Sequence, residues 1–299
     1  MTDRTGGEKT AMDGTDARLS AHGVRLAYDG RTVVPDLDLA IPDGGFTVIA
    51  GPNACGKSTL LRALARLLTP QAGQVRLDGT PIGDLRSREV ARRLALLPQQ
   101  VATPDGIAVT DLVARGRFPH QRLLRQWTSA DADAVDEALR VTGVADLAGR
   151  HVDELSGGQR QRVLLAMTLA QGTGILLLDE PTTFLDMAHQ VEVLELCRRL
   201  HAAGRTIVAV LHDINQACRY ATHLVAMREG AIVAQGDPAG LVDAALIERV
   251  FGLRARVLPD PVTGTPMVVP LAGWAVSDTA TEAVDPDAAW PGPIADGAA

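Results

Sequence analysis

Residues 51–59, GPNACGKST, constrain this chain more than any other stretch. They fit G-x-x-x-x-G-K-[ST] through Gly51, Gly56, Lys57 and Ser58, and they lie between an apolar run at 46–50 and a helix-like run at 59–68. A strand, a glycine loop and a helix in that order is the context a phosphate-binding loop requires. The glycines let the backbone curl until its N–H groups converge, and the helix N-terminus adds partial positive charge, so a polyphosphate meets a preformed nest of donors. Lys57 is expected to reach the outer phosphates, and Ser58 to offer its hydroxyl to Mg²⁺. The only lysines are Lys9 and Lys57; every other cation is arginine. An ordinary glycine turn gives no reason to keep one slender point charge where a fork-shaped guanidinium does not fit.

With 299 residues and 46% apolar content the chain can fill one large domain or two modest ones. A formal charge of −7 and 3% aromatic residues argue against nucleic-acid partners, which need a clustered basic face or stacking platforms. Cys55, Cys197 and Cys218 are odd in number, far apart and without a C-x-x-C pair, the pattern of a reducing compartment with no disulfide framework or zinc site. Cys55 sits in the phosphate loop near a helix N-terminus, where a thiol pKa can fall. It is either a reactive thiol, whose alkylation would block nucleotide binding, or a small residue that fits. No apolar run is long enough to span a bilayer and the first residues lack a signal-peptide core, so a cytoplasmic, soluble chain is expected, with membrane contact through a partner.

Residues 1–18 read as a disordered leader and 272–299 as a disordered tail rich in Ala, Asp, Pro and Gly. Two strand-like runs at 21–28 and 32–41 flank Asp29-Gly30, a hairpin signal. From about 100 to 155 helix-like segments at 109–115 and 132–141 suggest an inserted helical subdomain. Helices at 159–169 and 187–200 then alternate with apolar strands at 174–178 and 206–211, the pattern of a parallel sheet covered on both faces. Runs at 223–227 and 231–235 make a closing hairpin, 241–250 reads as a helix, and 254–258 with 266–269 as a last pair of strands.

Two further stretches point to the chemistry. In Leu155-Ser156-Gly157-Gly158-Gln159, Ser156 stands as an N-cap and the glycines leave backbone N–H groups uncovered, a second anion site at a helix start. Taken alone, the stretch is equally a capped helix after a turn. The strand at 174–178 runs into Asp179 and Glu180, at the edge where ligands of such sheets bind. Asp179 is expected to hold Mg²⁺, and Glu180 to orient the attacking water and take its proton. Two adjacent acids repel one another, and a cation relieves them.

With Gln99 after Leu97-Pro98, Leu185-Asp186 after Glu-Pro-Thr, and His212 after the strand at 206–211, the chain resembles the ATP-binding-cassette (ABC) ATPases over about residues 19–271. The resemblance implies an α/β phosphate-loop nucleotide hydrolase with a mixed central sheet, an N-terminal antiparallel β subdomain and an inserted helical subdomain. It implies that Tyr28 stacks on adenine, the alternative being an ordinary strand-end tyrosine. The loop residues Gly51, Pro52, Asn53, Ala54, Cys55, Gly56, Lys57, Ser58 and Thr59 are implied to wrap the phosphates. Gln99 is implied to sense Mg²⁺ and the γ-phosphate, and His212 to hydrogen-bond that phosphate. Family members work as homodimers that sandwich two ATP molecules, so Ser156, Gly157, Gly158, Gln159 and Asp186 of one copy are implied to meet ATP held by the other. Ala54 replaces a common glycine and is expected to be harmless if its φ is negative; Phe184, where alanine is common, is expected to pack at the dimer interface.

Residues 116–120, GRFPH, with 182–190, TTFLDMAHQ, and 211–217, LHDINQA, are similar to importers of ferric siderophores, haem and cobalamin. The stretch 260–266, DPVTGTP, narrows the resemblance to the ferric-siderophore branch. The implied assembly pairs a homodimer of this chain with integral membrane permease subunits on the inner face of the membrane, fed by an extracytoplasmic substrate-binding protein. The permease is expected to dock on residues 101–122. An assembly factor for iron–sulfur clusters has the same ATP chemistry but no use for that docking segment. A chromosome ATPase needs a long heptad insertion and a basic face, and both are missing.

Overall fold

The computed structural model describes residues 17–28, 30–121 and 127–271. The expected tail, nearly all of the leader, Asp29 and Arg122 lie outside the described residues. Arg18, assigned to the leader by composition, is tied to Asp78 by an ion pair of 2.8 Å.

The N-terminal layer is antiparallel. Strand β1 (Leu19–Tyr28) pairs with β2 (Arg31–Val34), β3 (Leu39–Ile41) and, after the phosphate loop, β5 (Ala72–Leu77), which carries the short β6 (Thr80–Pro81). The second run of the expected hairpin is two strands, because Pro35 has no N–H for a ladder. Leu37, Leu39 and Ile41 are buried and Asp36 and Asp38 exposed, as their alternation requires.

The central sheet runs β11-β10-β4-β9-β8-β7. Strands β4 (Phe46–Ala50), β7 (Leu94–Leu97), β8 (Ile175–Asp179), β9 (Thr206–Val210) and β10 (His223–Arg228) are mutually parallel, and β11 (Ala231–Gly236) closes the edge antiparallel, so the sheet is mixed as expected. Every residue of β4, β8 and β9 is buried. Their side chains divide by parity between two cores. Phe46, Val48, Leu176, Leu178, Ile207 and Ala209 face one, while Ile49, Leu177, Val208 and Val210 face the other. The second core holds α1 (Lys57–Leu64), α2 (Ser87–Arg93) and the N-terminal layer. The first holds α6 (Met187–Ala202), α7 (Ile214–Tyr220), α9 (Ala244–Phe251) and the helical subdomain.

That subdomain contains α3 (Val109–Ala114) and α4 (Ser129–Val141), and it continues past residue 155 into α5 (Gly157–Ala170), which packs against both. Inside it the buried Arg117 guanidinium meets Asp131 at 2.9 Å, and hydrogen bonds from Thr128 and Arg117 hold that carboxyl below the usual range. Among the bonds that tie it to the core, the Nε of Arg88 and of Arg92, both on α2, donate to the Pro119 carbonyl at 2.9 Å. The expected helix at 241–250 is in fact α8 (Pro238–Leu241) and α9, separated where Asp243 caps the second. Strands β12 (Ala255–Pro259) and β13 (Pro266–Pro270) form the final hairpin.

Candidate active site

The apolar strand β4 delivers the chain into the phosphate loop at its C-terminal end, and backbone geometry dictates which residues the loop can hold. At Gly51 (φ 156°) a Cβ would stand 2.1 Å from the Met227 carbonyl oxygen, so only glycine lets the loop lie against β10. Gly56, at φ 103°, is the N-cap of α1; no side chain caps this helix and no acid occupies its first turn. The first-turn N–H groups and the positive end of the helix dipole are therefore left uncompensated. Lys57 is 4% exposed, and its Nζ donates to the carbonyls of Gly51 at 2.9 Å and Pro52 at 2.8 Å. Both partners are neutral, so its charge remains free to act on an anion.

Parallel neighbours β7, β8 and β9 bring four further groups to the same edge. Asp179 ends β8 at 2% exposure, and Ser58 Oγ donates to its Oδ1 at 2.7 Å. Burial is the largest influence on the Asp179 carboxyl and raises its pKa; the Ser58 bond opposes the rise, and the Glu180 charge adds to it. A hydroxyl and a buried carboxylate in contact make an oxygen donor pair that a hard divalent cation fits. Glu180 follows in the left-handed region at φ 54°. Its Oε2 accepts from Gln99 Nε2 at 2.5 Å and Thr183 Oγ1 at 3.1 Å, and His212 Nε2 lies 2.6 Å from its Oε1. Gln99 comes from the end of β7 and His212 from the end of β9, so sheet order itself assembles the group.

A cleft of 740 Å³ opens over this edge. It is lined by Asn53, Ala54, Gly56, Lys57, Ser58 and Thr59 of the loop together with Gln99, Glu180 and His212. Arg31, Thr32 and Val33 of β2, and Glu229 and Gly230 of the β10–β11 turn, also line it, and sequence reasoning missed all five. No local signal marks them. They arrive by long-range contact: the Gly230 N–H donates to the Cys55 carbonyl at 3.0 Å, and a Cβ at Gly230 would lie 2.1 Å from the Val33 carbonyl oxygen. Tyr28 is not among the lining residues; it is 38% exposed and its hydroxyl accepts from Arg62 at 3.4 Å.

One expectation for the loop needs correction. Ala54 has φ 58°, not a negative value, so its methyl group is held in a region that favours glycine. Cys55 is buried, and desolvation raises its thiol pKa, outweighing the lowering influence of Lys57, so the geometry supports the small-residue reading over the reactive one.

Ser156 caps α5 in a full capping box: its Oγ accepts from the Gln159 N–H at 3.3 Å, and its own N–H donates to Gln159 Oε1 at 3.1 Å. Gly157 is exposed, whereas Gly158 lies beneath the His189 ring, where a Cβ would come within 2.1 Å of Cδ2. His189 is in turn held by Asp186, the N-cap of α6, whose Oδ1 accepts from the His189 N–H at 2.9 Å and lies 2.7 Å from Nδ1. Phe184 beside it is 90% exposed at φ 64°.

An edge that offers bare amides and an ammonium to a polyphosphate, and that holds a carboxylate oriented by an amide and an imidazole, can bind a nucleoside triphosphate and direct water at it. The class so defined is the phosphate-loop nucleotide hydrolases. Within that class the chain belongs to the ABC transporter family, whose model matches residues 34–183, and it is an ATP-binding ATPase. It is 56% identical to the ferric enterobactin transport ATP-binding protein FepC of Escherichia coli (strain K12), over 87% of this chain and 97% of that one. It is 50% identical to the probable siderophore transport system ATP-binding protein YusV of Bacillus subtilis (strain 168), over 84% of this chain and 92% of that one. Its fold matches MJ0796, a bacterial ABC transporter cassette solved as a dimer, with TM-score 0.65 and 26% identity over 73% of this chain and 98% of that one.

Proposed function

We propose that this chain is the ATP-hydrolysing subunit of a ferric-siderophore importer, working as a homodimer on membrane permease subunits. The observation that carries the cargo class is similarity along nearly the whole length of two relatives, FepC and YusV, named for enterobactin and siderophore transport. The C-terminal DPVTGTP stretch supports the same branch.

In the hydrolytic step the loop amides and Lys57 bind the phosphates, and Ser58 and Asp179, with Gln99 nearby, would hold Mg²⁺. When bound, the cation would supply charge neutralisation at the phosphates. Glu180 Oε2 is engaged by Gln99 and Thr183 and Oε1 by His212 alone, which leaves acceptor capacity to orient a water and take its proton. His212, at the γ-phosphate end of the cleft, donates to that phosphate.

Ser156, Gly157, Gly158, Gln159 and Asp186 complete the site of a second copy. Phe184 and Met187, 90% and 80% exposed beside Asp186, supply the apolar face that such a dimer covers. Phe118, 60% exposed at the rim of the helical subdomain, marks the permease dock, and Arg88 and Arg92 tie the adjoining Pro119 to the core. Among the described residues no helix is long and apolar enough to cross a membrane, so attachment at the inner face goes through the permease, with cargo delivered by an extracytoplasmic binding protein.

The test is uptake of radiolabelled iron, supplied as several ferric siderophores, by cells carrying the wild-type chain or Glu180→Gln, with haem and cobalamin uptake run in parallel. Loss of ferric-siderophore uptake alone is the expected result. Loss of haem or cobalamin uptake instead would move the cargo, and unchanged uptake of all three would favour a soluble assembly role.

A further inference from the structure

The DPVTGTP stretch has no part in ATP chemistry, yet the hairpin that contains it is bound to the segment carrying His212. The His212 side chain is 43% exposed, so packing does little to fix it. Its position opposite Glu180 is set by the backbone on either side: β9 in the middle of the sheet, and α7. Helix α7 has only seven residues, too few to be stable alone. Asp213 caps it through the N–H groups of Asn215 at 2.8 Å and Gln216 at 3.3 Å.

Every amide and guanidinium side chain of α7 then makes a tertiary bond. Asn215 faces the free edge of β13, where its Nδ2 donates to the Val268 carbonyl at 3.1 Å and its Oδ1 accepts from the Val268 N–H at 2.6 Å. The primary amide thus stands in for one rung of a missing strand. Arg219 pairs with Asp260 at 2.7 Å, and Asp260 also accepts the N–H groups of Val262 and Thr263, fixing the hairpin turn. On the opposite side Gln216 donates to Gln190 Oε1 at 2.7 Å, and Gln190 donates to the Leu185 carbonyl at 2.9 Å, next to Asp186.

We infer that the C-terminal hairpin is the rear support of His212: through Asn215 it holds α7, and thereby the imidazole, in register with Glu180. Asn215 is then a positioning residue for ATP hydrolysis. This rests on the roles of His212 and Glu180 proposed above. Losing the paired amide bond frees α7 to shift, and small displacements at a reacting centre are costly. The phosphate loop lies on another strand and keeps its grip on ATP.

The test compares full-length wild-type chain, Asn215→Leu, His212→Ala and the double variant by kcat, KM for Mg-ATP and Tm. Asn215→Leu is expected to lower kcat about tenfold with KM changed by less than about twofold. The double variant is expected to be no slower than His212→Ala alone, because a residue acting through His212 has nothing left to act on once the imidazole is gone. Wild-type kcat in Asn215→Leu, or single effects that multiply in the double variant, would overturn the inference and leave the proposed site standing. Wild-type kcat in His212→Ala would instead remove the site reading itself. Should Asn215→Leu fail to fold, Asn215→Asp gives the same comparison. It keeps the acceptor for the Val268 N–H and sets a carboxylate against the Val268 carbonyl.

Discussion

Helices α1 and α5 both begin at glycine-flanked, phosphate-seeking sequences, and their first turns are finished in opposite ways. The start of α1 has no side-chain cap and no acid, and a buried lysine at its first position holds only neutral carbonyls. The start of α5 is closed on itself by Ser156 and Gln159. Bare amides need a ligand to be satisfied, whereas capped amides are stable in water and lend themselves to an anion that arrives already bound elsewhere. On the proposed function, one end holds nucleotide in the isolated chain and the other meets nucleotide that a second copy presents.

The contrast breaks most severely at Lys57. Lys57→Ala is expected to weaken ATP binding by about a hundredfold or more, measured by titration of the purified chain; unchanged affinity would show that the α1 end does not depend on its ammonium. Gly158→Ala pushes a methyl group into the His189 ring, and is expected to lower turnover about tenfold while ATP affinity of the monomer stays within about twofold. Equal losses in binding and turnover would put the α5 end at the cis site.

A smaller effect lies in pH. The Asp179 carboxyl is raised in the folded chain, so the fold binds that proton more tightly than the unfolded chain does. The Asp179 contribution to stability without nucleotide is therefore greatest below the ordinary aspartate range and falls as pH rises through the raised value. Asp179→Asn is expected to flatten that fall and raise Tm at neutral pH by a few degrees while abolishing hydrolysis; a lower Tm would mean that the carboxylate stabilises the empty loop. Smallest is Ser156→Ala, expected to cost about 1 kcal/mol in urea unfolding, the usual worth of an N-cap.

Much of this was legible in the sequence because the decisive elements are written locally. The all-apolar strands β4, β8 and β9 declare a sheet buried on both faces, and the motifs at their ends fall on one edge for that reason alone. Cap residues Ser156 and Asp186 act within three residues of themselves. What stayed hidden is written at long range. Arg31, Thr32 and Val33 reach the cleft only because β2 pairs across β1, and Glu229 and Gly230 only because their turn bonds to Cys55. Helix α7 is too short for a periodic signal, and its polar residues look like surface until Val268 and Asp260 are placed beside them. The conformation of Ala54 was misjudged because a residue type favours a φ but does not fix it.

Six non-glycine residues among those described have positive φ, and four of them, Ala54, Glu180, Phe184 and Glu229, stand around the cleft or in the loop before α6. Each left-handed turn costs an L-residue about 1 kcal/mol, which sets where this ATPase could be hardened against heat. Ala54 is open to replacement by glycine, which relieves the strained torsion at the expense of a looser unfolded chain, for a net gain of a few tenths of a kcal/mol. Glu180 is not, because the same residue carries both the strained backbone and the carboxylate at the centre of the site. A thermostable descendant of this chain would shed strain everywhere along the cleft except at that one position.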